Sequence, residues 1–413
     1  MKIVIATAVY YPQINGVAVF SHNLAIGLAE RGNEVMVICP SQTGKSYKRT
    51  VDGVKTVYLK SVEAKVYPDQ IHPVPKQKKV LGVRWPRLLY RHGFRVSVFP
   101  QKAVKRVLGE FQPDVVHVQV SDPIGLSVVG WARRAGVPVV TTEHNQPEVL
   151  TEPLKMPGLV RRPVNALLYA YFRNRQSKSD FVTMPTKQAI TNLLSRGDIG
   201  VPIAAVSNGV DIQHYKPGKA KKETYHKYGI VENIPTVLYV GRVDPEKKVG
   251  VVVEAFAKVC KMLPNIQMVV VGDGVDKARL EKMVDEQSLP VKFVGRVVGE
   301  DLYELYKVGT VFATASPIET QGIVLIEAAA SGLPLIAVNA GAVEEVCQNG
   351  VNGCLCHVGN VEEIAGAMFK ILSDTKLQSK YAKASEEIAH EHDFEKTLDR
   401  FINIYNRVIN NKG

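Results

Sequence analysis

Ser316-Pro-Ile-Glu-Thr-Gln-Gly-Ile-Val-Leu-Ile-Glu327, continued by Ala-Ala-Ala-Ser-Gly-Leu-Pro334, changes character half-way along. Ser316, Pro317 and Gly322 are loop residues, and a glycine lets backbone come close to a ligand. From Ile323 the stretch is apolar and Ala-rich, with no breaker before Gly332. A loop is therefore predicted to feed the N-terminus of a buried helix. Unpaired N–H groups and the positive end of the helix dipole suit a phosphate there. Glu319 falls on the loop and Glu327 just over one turn into the helix, where an acid also serves as a plain dipole complement.

Around this stretch, Thr236–Val240, Ile266–Val271, Val291–Phe293, Val311–Ala313 and Leu335–Val338 read as short buried strands. Helical patterns at Val249–Lys261, Lys277–Glu286, Asp301–Tyr306 and Val361–Leu372 alternate with them. The first half repeats the theme. Lys2–Val9, Val35–Cys39, Val54–Leu59, Val115–Val118, Val137–Thr142, Ser179–Pro185 and Ile203–Val206 read as strands, with a first helix at Val17–Glu30. Strands separated by helices predict an α/β protein with doubly wound parallel sheets. Turn chemistry at Ser207-Asn-Gly-Val-Asp211 and a linker at Pro217–Lys222 separate the two sets. Two Rossmann-like domains facing a cleft are expected, residues 1–206 and 207–390. A tail, 391–413, carries the amphipathic helix Phe394–Ile409, which is expected to cross back to the first domain.

The composition is globular, with 46% hydrophobic and 22% charged residues among 413. Five cysteines without framework spacing point to a reducing cytosol, and Cys354-Leu-Cys356 is too close-set for a zinc knuckle. Met1–Val9 is too short for a signal peptide and ends like a strand. No apolar run reaches membrane-span length. The net charge of +12 is uneven. Residues 1–208 hold 28 Lys and Arg against 13 Asp and Glu (+15), while residues 209–413 hold 24 against 27 (−3). Such asymmetry points the first domain towards a polyanion or an anionic surface.

Gly241-Arg-Val-Asp-Pro-Glu-Lys247 follows a predicted strand, where open α/β sheets bind ligands. Arg242 can fork onto phosphate oxygens and Lys247 can add a point charge. Alone, the stretch also fits a surface turn held by an ion pair. Gly16 precedes a helix and suits a backbone N–H against phosphate, or a plain turn. His144, in Thr-Thr-Glu-His-Asn, follows another strand end and equally suits a structural role. Gly272-Asp-Gly274 lacks the third glycine of a dinucleotide fingerprint. The chain has no Asp-x-Asp pair to clamp a phosphate-bound metal, no Gly-x-x-x-x-Gly-Lys-Ser/Thr loop and no Gly-x-Ser-x-Gly elbow.

Together these motifs resemble the retaining glycosyltransferases of family 4 (glycosyl transferase group 1), of GT-B fold, and among them the enzymes that glycosylate lipid headgroups. The resemblance runs through Asn15-Gly-Val, Glu143-His-Asn, Ser207-Asn-Gly-Val-Asp211, Gly241-Arg…Glu-Lys247, Val270-Val-Gly-Asp-Gly274 and Phe293-Val-Gly295. It ends in Glu319…Glu327, with seven residues between the two acids. Asn15 stands where the family often has the first of two glycines, and Lys248 where a glycine usually follows the lysine.

The resemblance implies that Arg242 and Lys247 hold the diphosphate of a nucleotide-sugar, with Gly16, Gly241, Gly322 and Ile323 offering backbone and Val297 lining the donor site. It implies that Glu327 takes the ribose hydroxyls, Glu319 the sugar hydroxyls, and that His144 meets the sugar near its 6-hydroxyl. Arg242, Lys247, Glu319 and His144 would be catalytic, with no metal and no cofactor beyond the nucleotide-sugar co-substrate. The leaving phosphate would accept the acceptor's proton, and fixed cations stabilise the charge that bond breaking loads onto it.

Ten basic residues and no acid lie between Pro75 and Gly109, interleaved with Trp85, Leu88, Leu89, Tyr90, Phe94 and Phe99. Pro153–Ser179 is likewise acid-free, mixing six cations with Leu167, Leu168, Tyr169, Tyr171 and Phe172. This composition suits a segment lying in a lipid interface, with Arg84, Trp85, Arg87, Arg91 and Arg95 as membrane-binding residues. A solvated helix face has the same composition. A nucleic-acid patch would leave the second half's motifs unexplained.

The expected protein is a cytoplasmic hexosyltransferase, peripheral on the inner face of the cell membrane. It would move glucose from UDP-glucose or mannose from GDP-mannose to diacylglycerol or a phospholipid headgroup, with no nucleic-acid partner. The alternatives are a soluble sugar or polysaccharide acceptor, or a non-catalytic nucleotide- or nucleic-acid-binding protein.

Overall fold

A computed structural model describes residues 1–11, 15–63, 95–120, 122–144, 147, 151 and 157–412. The chain divides into two compact units, Met1–Ser207 with Leu398–Gly413, and Asn208–Thr397.

The first unit contains β1 (Lys2–Ala6), β2 (Glu34–Pro40), β3 (Tyr47–Val51), β4 (Val54–Leu59), β5 (Val62–Glu63), β6 (Arg95–Val96), β7 (Val115–Val118), β8 (Val139–Thr142), β9 (Phe181–Met184) and β10 (Ile203–Ala205). Eight of these form one sheet in the order β10-β9-β8-β7-β1-β2-β4-β3. Every neighbour pair is parallel except β3, which runs antiparallel to β4 at the edge. Its helices are α1 (Gly16–Glu30), α2 (Gln101–Phe111), α3 (Pro123–Ala135), α4 (Gly158–Gln176) and α5 (Lys187–Leu194). The central strands are buried on both faces, which is why they read as unbroken apolar runs. β1 stops at Ala6, short of the predicted Val9, because the Thr7 hydroxyl donates to the Val9 carbonyl (2.8 Å) and turns the chain.

In the second unit the elements are α6 (Lys222–Tyr228), β11 (Thr236–Val240), α7 (Val249–Cys260), β12 (Gln267–Val271), α8 (Lys277–Glu286), β13 (Val291–Gly295), α9 (Glu300–Tyr306), β14 (Val311–Ala313), α10 (Ile323–Ala330), β15 (Leu335–Val338), β16 (Gly353–Cys356), α11 (Val361–Leu372) and α12 (Thr375–His390). The six strands form a parallel sheet in the order β13-β12-β11-β14-β15-β16. Alternate side chains of β11 feed the cores on its two faces. Val237 and Tyr239 join one core with α7, α8 and α11, while Leu238 and Val240 join the other with α9 and α10.

The last helix, α13 (Phe394–Asn410), is shared along its length. Val210 and Phe394 exchange backbone bonds with His392 and Val210, which keeps the stretch before Leu398 with the second unit. From Leu398 onward the helix packs on the first unit. Leu398 fills the space a Cβ on Gly27 would need, Asp399 pairs with Arg31 at 2.6 Å, and Tyr405 reaches His117. The boundary between the two units thus falls at Thr397/Leu398, within α13. No helix among the described residues is long and apolar enough to cross a membrane.

Candidate functional site

In the second unit, the ends of β11 and β12 approach so closely that only glycine fits between them. A Cβ on Gly272 would stand 1.8 Å from the Gly241 carbonyl oxygen. Gly241 itself, at φ 149°, lets the chain turn sharply out of β11. The Tyr239 hydroxyl then donates to the Arg242 carbonyl at 2.7 Å, fixing the turn from below. A single 3-10 turn, Pro245–Lys247, leads through left-handed Lys248 into α7.

Within this turn the side-chain charges are already matched. The Arg242 guanidinium donates to Asp244 and also pairs with Glu246 at 2.8 Å. Burial disfavours its charge, but the Glu246 and Asp244 carboxylates outweigh that and hold its pKa above the usual value. Asp244 in turn accepts from the Val275 N–H at 3.0 Å, tying the turn to the Gly272–Gly274 loop. Lys247 crosses to the other loop, where its ammonium meets Glu319 at 2.6 Å, both side chains being mostly buried.

Glu319 belongs to the loop between β14 and α10. Gly341 makes room for it, since a Cβ there would lie 2.8 Å from the Glu319 carbonyl oxygen. Gln321 accepts from the Asn208 N–H at 3.1 Å, and Gly322, at φ 75°, opens α10. Gly322, at the N-cap, has no side chain to cap that helix start, and the Leu325 N–H donates to the Gly322 carbonyl at 2.8 Å. The positive end of the helix dipole there favours an anion.

One turn on, Glu327 receives two hydroxyl donors, Tyr215 at 3.0 Å and Tyr306 at 2.6 Å. Burial raises its pKa to about 7, and the two tyrosines pull against that rise. Val297, just past β13, and Ile323 pack on the same apolar cluster as those tyrosines. The structure thus gathers Gly241, Arg242, Lys247, Glu319, Gly322, Ile323, Glu327 and Val297 around the strand ends of one sheet. Tyr215 and Tyr306 are partners that the sequence did not reveal.

Gly16 and His144 lie in the first unit. Gly16 is exposed as the first residue of α1, and Asn15 caps that helix, its side chain accepting from the Ala18 N–H at 2.9 Å. That bond gives Asn15 the ordinary use of a helix N-cap. His144 follows β8, buried, with the Phe20 ring edge-on at 5.2 Å and Nε2 2.7 Å from the Gln119 side-chain oxygen. Gln119 also approaches His117, whose ring nitrogens meet Tyr405 and Thr142, each at 2.6 Å. Burial lowers both histidine pKa values to about 3, so both rings are neutral at physiological pH. Sequence reading singled out His144 and passed over His117, Gln119 and Tyr405, because nothing local marks a strand histidine as the hub of a network.

Of the five residues assigned to membrane contact, Arg84, Trp85, Arg87 and Arg91 lie outside the described residues. Arg95 is turned inward, its guanidinium donating to the Ser61 hydroxyl at 3.0 Å and the Ser61 carbonyl at 3.2 Å. Among the described residues no group of three or more His, Cys, Asp or Glu could hold a metal ion.

Two Rossmann-like α/β units, with ligand-facing strand ends in the second, have the architecture of the GT-B fold. Residues 14–214 match the profile of glycosyltransferase family 4, and residues 220–388 that of the glycosyl transferases group 1. The chain belongs to this family, whose members use nucleotide-sugar donors. It is 27% identical over 411 residues to the alpha-monoglucosyldiacylglycerol synthase of Acholeplasma laidlawii, covering 94% of this chain and 96% of that one. A GDP-mannose-dependent alpha-mannosyltransferase of Mycobacterium tuberculosis is 29% identical over 366 residues, 88% of this chain and 85% of that one. The Anabaena protein Alr3699/HepE, solved with UDP-glucose, shares the fold at a TM-score of 0.69 and 18% identity, over 98% of this chain and 100% of that one.

Proposed function

We propose that this protein moves a hexose from a UDP- or GDP-sugar to a membrane lipid such as diacylglycerol or a phospholipid headgroup, with retention of configuration and without a metal. It would work in the cytoplasm, bound peripherally to the inner face of the cell membrane. The donor half rests on the residues gathered in the second unit. The donor diphosphate would compete with Asp244 and Glu246 for Arg242, and with Glu319 for Lys247. Its oxygens would also meet the first-turn N–H groups of Gly322 and Ile323. Glu319, released from Lys247, would turn to the sugar hydroxyls, and Glu327 would accept the ribose hydroxyls. As the anomeric carbon–oxygen bond breaks, the electron pair passes to the diphosphate. One of its oxygens would then take the proton of the attacking acceptor hydroxyl on the same face. Negative charge would grow where Arg242, Lys247 and the α10 dipole already stand, which is where such stabilisation counts. His144, held neutral and hydrogen-bonded to Gln119, would orient the sugar and carry no charge.

The observation that carries the lipid acceptor is the outer face of α4. Leu159 is 89% exposed and Leu167 72%, with Val160 and Tyr171 also exposed. They lie along a helix that also carries Arg161 and Arg162 and has no acid. Single exposed leucines are common on soluble proteins, but several exposed apolar side chains beside cations on one helix without an acid suit a bilayer interface. The Acholeplasma relative, whose name records a diacylglycerol product, supports the same reading. A thermal-shift panel of UDP-glucose, GDP-mannose and the free nucleotides, repeated in EDTA, tests the donor half. One nucleotide-sugar should stabilise the chain, with chelator making no difference. Loss of both binding and turnover in EDTA, restored by magnesium or manganese, would contradict the metal-free mechanism.

A further inference from the structure

Between α3 and α4 of the first unit lies a cavity of about 120 Å³, lined by Val118, Gly125, Leu126, Val129, Gly130, Arg133, Arg175 and Lys178. Three of these side chains are cations and none is an acid. Neither α3 nor α4 contains a single Asp or Glu to neutralise them. Asp180, the nearest acid along the chain, is engaged by the Val139 N–H at 2.7 Å and Lys412 at 2.8 Å. Arg133 in the last turn of α3 and Lys178 just past the C-cap of α4 each stand at the negative end of a helix dipole, so two helix ends direct cations to this one cavity. The Arg175 guanidinium stacks on the Tyr171 ring at 4.9 Å, and its buried Nε finds no acceptor among the described residues. A buried N–H without an acceptor is costly, and the rest of the Arg175 guanidinium lines the cavity without an acid beside it.

We infer that this groove binds a compact phosphoryl anion. Its volume is several times the roughly 30 Å³ of a water and well short of the ~300 Å³ at which pockets for larger ligands begin. That size admits a phosphate group and excludes a nucleotide. Arg175, fixed by its stacking, presents a planar fork to two oxygens, while Lys178 and Arg133 add charge from the sides. Val118, Leu126 and Val129 make up the apolar part of the lining. The residues are not those assigned to the donor, so the inference stands or falls apart from the proposed reaction.

The test is a thermal-shift titration of the full chain with inorganic phosphate, ionic strength being matched by potassium chloride. A Lys247→Ala background weakens any response from the second unit. Phosphate should raise the melting temperature. Arg133→Gln combined with Arg175→Gln should weaken apparent phosphate affinity by about tenfold or more. Lys178→Gln alone should shift it in the same direction by less, which keeps the test open if the double variant folds poorly. Sedimentation with phosphatidylcholine vesicles containing phosphatidic acid separates the two sources of such an anion. Lost phosphate response with unchanged vesicle binding assigns a soluble phosphate, and loss of both assigns a lipid headgroup. No phosphate response beyond the chloride control, or variants that respond as their background does, overturns the site.

Discussion

Tyr306→Phe removes one oxygen, and with it the closer of the two hydroxyl donors to Glu327, at 2.6 Å. The Glu327 pKa stands at about 7 because burial raises it while Tyr306 and Tyr215 restrain it. A hydrogen bond to a charged group is worth about 1.5–3 kcal/mol, which is about one to two pKa units at 1.36 kcal/mol each. Tyr215 remains, so the lower end applies and the midpoint should move to about 8. If the ionised carboxylate holds the donor ribose, affinity follows the ionised fraction. At pH 7.5 that fraction falls from about three-quarters to about one-quarter, so the donor Kd should weaken about threefold. The penalty should vanish by about pH 9.5, where both proteins are ionised. Calorimetric titration of the preferred nucleotide-sugar from pH 6 to 9.5 measures this, with Glu327→Gln expected to bind weakly and without pH dependence. A Tyr306→Phe deficit that is the same at every pH would mean that lost packing, and not the ionisation of Glu327, weakens binding. The linkage also bears on folding. A carboxyl whose folded pKa is raised costs stability above pH 7, and the cost is relieved as pH falls towards its ordinary range.

Arg242→Ala and Lys247→Ala should each lower kcat by ~10²–10³, the scale for one preorganised charge-stabilising group, read from steady-state kinetics; near-normal turnover in both would remove the phosphate-clamp role. His144 is neutral when folded, with its pKa lowered to about 3 by burial, so its contribution to stability is present above the unfolded value near 6.5 and is lost as pH falls. His144→Gln lacks that term, and the stability gap between wild type and variant in urea melts should narrow by about 2 kcal/mol from pH 7 to pH 5. Leu159→Ser with Leu167→Ser should reduce sedimentation with anionic vesicles while leaving donor-induced thermal shifts unchanged. Binding equal to wild type would show that α4 is not the inserting face.

The second unit was the more legible because its signals are local. Thr236–Val240 is short, apolar and buried on both faces, so run length alone marked it, and Gly322 followed by Ile323 marked the start of α10. Edge strand β3 escaped notice because Lys48, Arg49 and Thr50 are exposed and break any apolar run. The polar helix α12 escaped because only Tyr381, Ser385 and Ala389 among its residues are buried. The places of Arg242 and Lys247 could be read from the strand end before them. That Lys247 is matched by Glu319, and Glu327 by Tyr215, could not, since those pairs lie 72 and 112 residues apart and only the folded sheet brings them together.

Transfer of a hexose to a lipid is measured most directly by following where the sugar goes. Chain, labelled nucleotide-sugar and vesicles containing diacylglycerol and phosphatidylinositol would be incubated in EDTA, the lipid phase extracted, and the anomeric configuration of its product read by NMR. Label should enter the organic phase as an α-linked glycolipid, the configuration of the donor being kept. Label that stays in water on a soluble sugar, or a β-linked lipid product, would contradict the account.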